Sequence, residues 1–148
     1  MIEKNGPFDS IYFYFCWPKI IELDRRLFES DIGGPLLDLG IYGLTTFKML
    51  LGSKSKFESL GNIHKFDIID GIGGKVENDV DIDLKYSGDV TCRLETTMDA
   101  DGDGKSWCKI KFKNGYFYTV KDIVHPHRNM DKNKFIVLRD KNNNIVDC

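Results

Sequence analysis

Apolar and polar residues alternate along this chain in two different rhythms, and the change of rhythm divides it. Phe8 to Trp17 is dense in Ile, Tyr and Phe, which predicts a strand that Pro18 ends. Lys19 to Ser30 fits either a helical turn or an extended crossing. Pro35 to Leu51 has apolar residues around most of a helical circumference and is closed by Gly52. That predicts one helix, central in the fold. Beyond it the period falls to two. Val80, Ile82 and Leu84 alternate with Asp79, Asp81, Asp83 and Lys85, as in a half-buried strand. Ser87-Gly88-Asp89 turns the chain, and Val90, Cys92, Leu94 and Met98 fall on one face of the return. Ser106–Phe112 and Tyr116–Lys121 flank Asn114-Gly115, a strong hairpin signal. Phe135 to Leu138 reads as a further strand, followed by a Lys-Asn-Asn-Asn turn and a short tail.

One helix followed by successive strands predicts an α+β fold, an open and mainly antiparallel sheet with the principal helix packed on one face. Residues 1–7 read as a short leader and residues 8–148 as a single domain. A helix on one face leaves the other uncovered. That other face is expected to carry Thr91, Arg93, Glu95, Thr97, Trp107, Lys109, Lys111 and Phe117. Mixed charge around two large aromatics suits an interface better than bare solvent, so a homodimer through the open face is expected.

The run Asp31 to Leu44 holds the most chemistry. Gly33-Gly34-Pro35 enters a helix with proline at a first helical position. Asp38 and Tyr42 stand four apart, which puts a carboxylate and a phenol on one helical face. A buried carboxylate there costs several kcal/mol or so unless paired. Gly40 and Gly43 each weaken a helix by about 1 kcal/mol relative to alanine, so another backbone or a ligand is expected close against it.

These residues resemble the start of the C-terminal domain of Gfo/Idh/MocA-type oxidoreductases, with its Gly-Gly-x-Leu-x-Asp-x-Gly-x-His/Tyr signature. The tyrosine, preceded by Asp24-Arg25-Arg26-Leu27-Phe28, is most similar to the dihydrodiol and D-xylose dehydrogenase branch. The resemblance extends from Phe8 to about Leu138, by pattern more than by identity beyond the helix. It implies that Asp38 lines a sugar or diol site and that Tyr42 supplies the acid/base hydroxyl. It also implies that His125, in His125-Pro126-His127-Arg128, lies near the substrate mouth, and that the open sheet face associates. Arg25 and Arg26 could hold a substrate hydroxyl or an acidic partner. A tyrosine acts as a base only when a cation lowers its pKa from about 10. In the family that cation is the lysine of a Glu-Lys-Pro motif on a Rossmann domain, which also holds NAD(P). Glu3-Lys4-Asn5-Gly6-Pro7 echoes the motif but is interrupted, and no segment of the chain reads as a Rossmann domain. Read without the family, Asp38 simply favours the positive end of a helix and Tyr42 is ordinary core.

Two functions follow as expectations. The first is a stand-alone, non-catalytic module that self-associates or binds a ligand and takes no cofactor alone. The second is the substrate-binding half of an NAD(P)-dependent sugar or trans-dihydrodiol dehydrogenase, its Rossmann domain being separate or missing.

Composition narrows the alternatives. The 148 residues carry 21 basic and 23 acidic side chains without a basic stripe, which argues against nucleic acid. No long apolar run or basic-then-apolar start exists, so a cytoplasmic protein with no membrane partner is expected. Cys16, Cys92, Cys108 and Cys148 are widely spaced and read as reduced, buried thiols. Asp99-Ala100-Asp101-Gly102-Asp103-Gly104 begins like a calcium loop, but its twelfth position is Ile110 inside a predicted strand, so a turn is expected. Asp70-Gly71-Ile72-Gly73-Gly74-Lys75 misses phosphate-loop spacing, and the paired histidines lack a third zinc ligand.

Overall fold

A computed structural model describes residues 6–18, 25–100, 104–124 and 136–147. Among the described residues, eight strands form one open sheet in the order β2-β3-β4-β1-β5-β6-β7-β8. They are β1 (Phe8–Pro18), β2 (Phe57–Asp70), β3 (Lys75–Tyr86), β4 (Val90–Ala100), β5 (Lys105–Phe112), β6 (Phe117–Lys121), β7 (Ile136–Arg139) and β8 (Ile145–Asp147). The first strand in sequence is central in space. It runs parallel to β4, pairing Phe13 with Leu94, and antiparallel to β5, pairing Phe13 with Cys108. Every other strand pair is antiparallel, so the sheet is mixed through a single parallel neighbour. Burial explains the centre: Ile11, Phe13 and Phe15 are almost wholly inaccessible on the helix side. The expected Asn114-Gly115 hairpin joins β5 to β6, with Gly115 at φ 89. The expected tail after the Asn turn is a short strand, β8, paired with β7.

The predicted single helix is bent. A short α1 (Pro35–Asp38) is followed by α2 (Gly40–Leu51), separated at Leu39. There the Tyr42 amide donates to the Leu39 carbonyl at 3.2 Å, a tighter i to i+3 bond. The bend lets α1 rest on β3 and β4 while α2 crosses β4 and β1. Phe47 and Leu39 reach into a core built with Ile11, Phe13, Leu94 and Ile110. A smaller cluster of Leu27, Phe28, Val76 and Met98 lies under a 3-10 turn at Arg25–Phe28.

One expectation needs correction. The helix is not central, because its outer side leaves Leu37 61%, Ile41 53% and Met49 79% exposed. Apolar residues around the whole circumference therefore exceed what one sheet face can cover. The strand β2 has no clean alternation to predict it, since bulges interrupt its pairing with β3 between Leu60 and Lys65. Asp79, Asp81 and Asp83 are buried on the open face. Their partners are the Lys65 ammonium on Asp79, Arg93 in a two-pronged pair with Asp81 at 2.8 and 2.6 Å, and His64 with Asn62 on Asp83.

Candidate functional site

The glycine pair at the helix entry answers to local packing. A side chain on Gly33 would meet the Leu27 and Glu29 carbonyl oxygens at 2.5 and 2.6 Å. Those same carbonyls accept from the Gly34 and Gly33 amides at 2.7 and 2.6 Å, which ties the helix to the preceding turn. Gly34 has φ +90, and the space its side chain would take is filled by the Glu77 carboxylate. Farther along, Gly43 lies directly on the Leu94 and Phe13 side chains and Gly40 on Leu36 and Leu94. Side chains of the sheet at Gly43, and of Leu36 and Leu94 at Gly40, occupy the space that these two glycines leave.

Asp38, at the end of α1, is largely covered and takes an ion pair from Arg26 at 2.6 Å. The pairing offsets the cost of covering its charge. Arg25 points away to Glu29 at 3.9 Å and is itself well exposed. The two arginines are thus separated in role, one beside the aspartate and one on the surface.

Tyr42 is 48% exposed, which removes the reading of it as ordinary core. Its ring meets Phe15 edge-on at 5.6 Å, and its carbonyl accepts from the Thr46 hydroxyl at 2.8 Å. With Ile41, Thr45, Thr46, Ile123 and Val124 it lines an open concavity of about 470 Å³. This surface offers one phenol and two hydroxyls on an apolar ground, the mixture that small polar ligands use. Leu39, at which the helix bends, lies between Asp38 and Tyr42. His125, the Asp101–Asp103 segment and Cys148 fall outside the described residues.

The open face carries the second constellation. The strand register places Thr91, Arg93, Glu95 and Thr97 of β4 and Trp107, Lys109 and Lys111 of β5 there, with Phe117 of β6. Tyr12 and Tyr14, missed from the sequence, hold the middle. Trp107 meets Tyr12 edge-on at 4.7 Å and stacks on Tyr14 at 5.6 Å. Arg93 lies 4.9 Å from the Tyr12 ring centre, and the Lys109 ammonium 4.2 Å from that of Phe117. The Tyr12 hydroxyl donates to the Glu95 carboxylate. Desolvation raises the Glu95 carboxyl above its usual range, and burial also raises the Tyr14 phenol. Strict alternation along β1 was the available signal for both tyrosines.

Cys16, Cys92 and Cys108 are free and buried. Burial pushes Cys92 and Cys108 up to about 12, so both remain thiols at neutral pH. Among the described residues, no group of three His, Cys, Asp or Glu side chains could hold a metal ion. No helix among them is long and apolar enough to cross a membrane.

No protein-family model and no curated protein matches this chain. Solved structures do. KijD10, a 3-ketoreductase from Actinomadura kijaniata solved with NADP and TDP-benzene, is 20% identical at a TM-score of 0.62, over 83% of this chain and 36% of that one. GenD2 from gentamicin A biosynthesis, solved with NAD, is 16% identical at 0.62, over 81% of this chain and 33% of that one. The fold is that of the C-terminal domain of Gfo/Idh/MocA-type oxidoreductases. An oxidoreductase-like protein of Thermotoga maritima adds the same likeness at 13% identity and 0.62, over 96% of this chain and 41% of that one. This chain therefore spans between a third and two-fifths of the length of these neighbours.

The described residues do not fit a dinucleotide. A pyrophosphate needs free amides at a helix entry, and here the Glu77 carboxylate already fills the place beside Gly34. The glycine turn at Gly71–Gly74 closes on itself, the Gly71 amide donating to the Gly74 carbonyl at 2.7 Å, and it leads into β3 rather than a helix.

Proposed function

We propose that this domain is a binding module that performs no redox chemistry by itself and self-associates through its open sheet face. The observation that supports it most is the Tyr42 concavity, an exposed phenol beside Thr45 and Thr46 on a surface without a dinucleotide cradle. Its ligand is a small polyhydroxylated compound, a sugar or diol, held by these hydroxyls. The Arg26–Asp38 pair fixes the start of the helix that carries them. Titration calorimetry of the isolated chain with NADPH tests the reading. No heat of binding is expected, and clear micromolar affinity overturns it.

The second reading is that the same domain is the substrate-binding half of an NAD(P)-linked sugar or trans-dihydrodiol dehydrogenase. Tyr42 favours it, because an exposed phenol on a concavity could move a proton once a cation from another domain lowered its pKa. KijD10, a 3-ketoreductase solved with NADP, and GenD2, solved with NAD, support this reading. Cofactor and lysine would then come from a nucleotide-binding domain on another segment. Tyr42→Phe separates the two readings. A binding module keeps its ligand affinity within a few-fold, whereas an enzyme reconstituted with such a domain loses most of its rate.

A further inference from the structure

The edge strand β2 carries an apolar row that the helix does not reach. Phe57, Leu60, Ile63 and Phe66 oppose Tyr86, Leu84, Ile82 and Val80 of β3, on the helix side of the sheet. Bulges spread this row to every third residue of β2, leaving two residues between successive members. Asn62 and His64 turn to the other face, where they reach the Asp83 carboxylate at 3.2 and 3.1 Å, and Lys65 reaches Asp79 there. The helix packs on β3, β4 and β1, and all four apolar side chains of the row stay more than half exposed. Among the described residues, no strand pairs with the outer edge of β2. A long apolar edge of this kind is a template for another strand.

We propose that two copies of this chain join their sheets edge to edge through β2, antiparallel about a twofold axis between Gly61 and Asn62. Residues 57–66 are their own complement about that point. Reading outward from the axis, Leu60 meets the partner's Ile63, Ser59 the partner's His64, Glu58 the partner's Lys65 and Phe57 the partner's Phe66. One step beyond, Lys56 meets the partner's Asp67. Apolar row therefore meets apolar row on one face, acid meets base at two positions, and the symmetry repeats each contact. The Lys56 ammonium and the Glu58 carboxylate have no ion-pair partner among the described residues, and the pairing supplies one for each. Lys65 already holds Asp79 and lies 3.5 Å from Asp67, yet its side chain is 52% exposed and an ammonium has three donors. Moving the register by three residues either way keeps the apolar rows together but loses the charge pairing. Glu58 then faces Ile68 or Asn62, and Asp67 faces Ser59 or Ser53. The contact lies at the sheet edge, apart from the Tyr42 concavity and the aromatic seam of the open face, and rests on neither.

Two complementing variants of the full chain test the pairing. Leu60→Lys alone or Ile63→Glu alone sets a charge against an apolar side chain at both symmetry-related contacts. In the equimolar mixture the new lysine of one copy stands directly opposite the new glutamate of the other. Sedimentation equilibrium reads the association of each variant and of the mixture. Each variant alone is expected to associate at least about tenfold more weakly than the wild type, and the mixture to recover. A wild type that stays a single chain overturns this pairing and the open-face association together. Variants that associate as tightly as the wild type overturn the β2 pairing and leave the open face as the contact. Weakened variants that do not complement each other overturn the pairing about this axis. Should a variant lose the wild-type circular dichroism spectrum, zero-length carbodiimide crosslinking of mixed ¹⁴N and ¹⁵N wild-type chains decides instead. Isotopically mixed crosslinks between Glu58 and Lys65 are expected, and their absence overturns the pairing.

Discussion

Gly43 and Gly40 lie three residues apart on one helix, yet replacing each by alanine should move stability in opposite directions. At Gly43 a methyl group would overlap the Leu94 side chain and stand 2.8 Å from Phe13 Cδ1. Leu94 and Phe13 are both wholly buried in the centre of the core, so neither has space to retreat into. Overpacking of this kind costs about 1–3 kcal/mol. The better helix propensity of alanine returns about 1 kcal/mol. Gly43→Ala should therefore destabilise by up to about 2 kcal/mol, each kcal/mol lowering Tm by about 2–4 °C in a domain of this size. At Gly40 the nearest atoms would be Leu36 Cδ1 at 3.2 Å and Leu94 Cδ2 at 3.5 Å. Leu36 is only partly buried and can turn aside, so the propensity gain prevails. Gly40→Ala should be neutral or stabilising by up to about 1 kcal/mol.

Urea denaturation of both variants, followed by circular dichroism, measures the difference. Leu94→Val in the Gly43→Ala background removes the overlapping methyl. It should recover about 1 kcal/mol relative to the sum of the single changes, since contacting residues couple. A Gly43→Ala protein as stable as Gly40→Ala would refute the account of these glycines as contact points for the sheet.

The other predictions concern separate features. Gly34→Ala should cost about 1–3 kcal/mol, because φ is +90 and Glu77 fills the space, and Glu77→Ala should relieve only the steric part. Arg26→Ala should cost about 1 kcal/mol at neutral pH by removing its ion pair with the Asp38 carboxylate, and high salt should shrink the difference from wild type. Cys92 and Cys108 should resist a thiol reagent at pH 8 until urea exposes them, and rapid labelling of the native chain would contradict their burial. The raised Glu95 carboxyl binds its proton more readily folded than unfolded. Stability from this group is therefore present below the ordinary glutamate pKa and falls as pH rises through the raised value. Glu95→Gln should flatten that fall and leave the neutral-pH stability equal or slightly higher, as read by urea titrations from pH 4 to about 8.

Most of the sheet was legible because its strands keep a strict period of two. Val90, Cys92, Leu94 and Met98 fall on one buried face as the alternation requires. The central place of β1 was not legible. Its parallel pairing with β4 is a long-range contact, and nothing local in Phe8–Pro18 selects that neighbour over β2. The long β2 escaped notice for the opposite reason, since its bulges break the very period that announces a strand. In sequence the acidic row of β3 shows only as the polar side of a half-buried strand. It is buried because Lys65, Arg93 and His64 on neighbouring strands come within ion-pair distance, a fact of register that one strand cannot contain.

The candidate site divides in the same way. The glycines of the run from Asp31 to Leu44 suggest another backbone or a ligand close against the helix, and each of them marks close packing. The first pair accommodates two carbonyls and the Glu77 carboxylate, and the second accommodates Leu94 and Phe13. Packing of that closeness pins the inner side of the helix, and whatever binds is therefore held by the outer side. There Tyr42, Thr45 and Thr46 follow one another at helical spacing on the surface, on a backbone that the glycines have fixed against the sheet. A site on a rigid element needs little reordering when a ligand arrives, which lowers the entropic cost of binding. If Gly43→Ala shifts the helix outward, ligand affinity at Tyr42 should weaken along with stability. Gly40→Ala should leave both intact, and that covariance would tie the packing of the inner face to the function of the outer one.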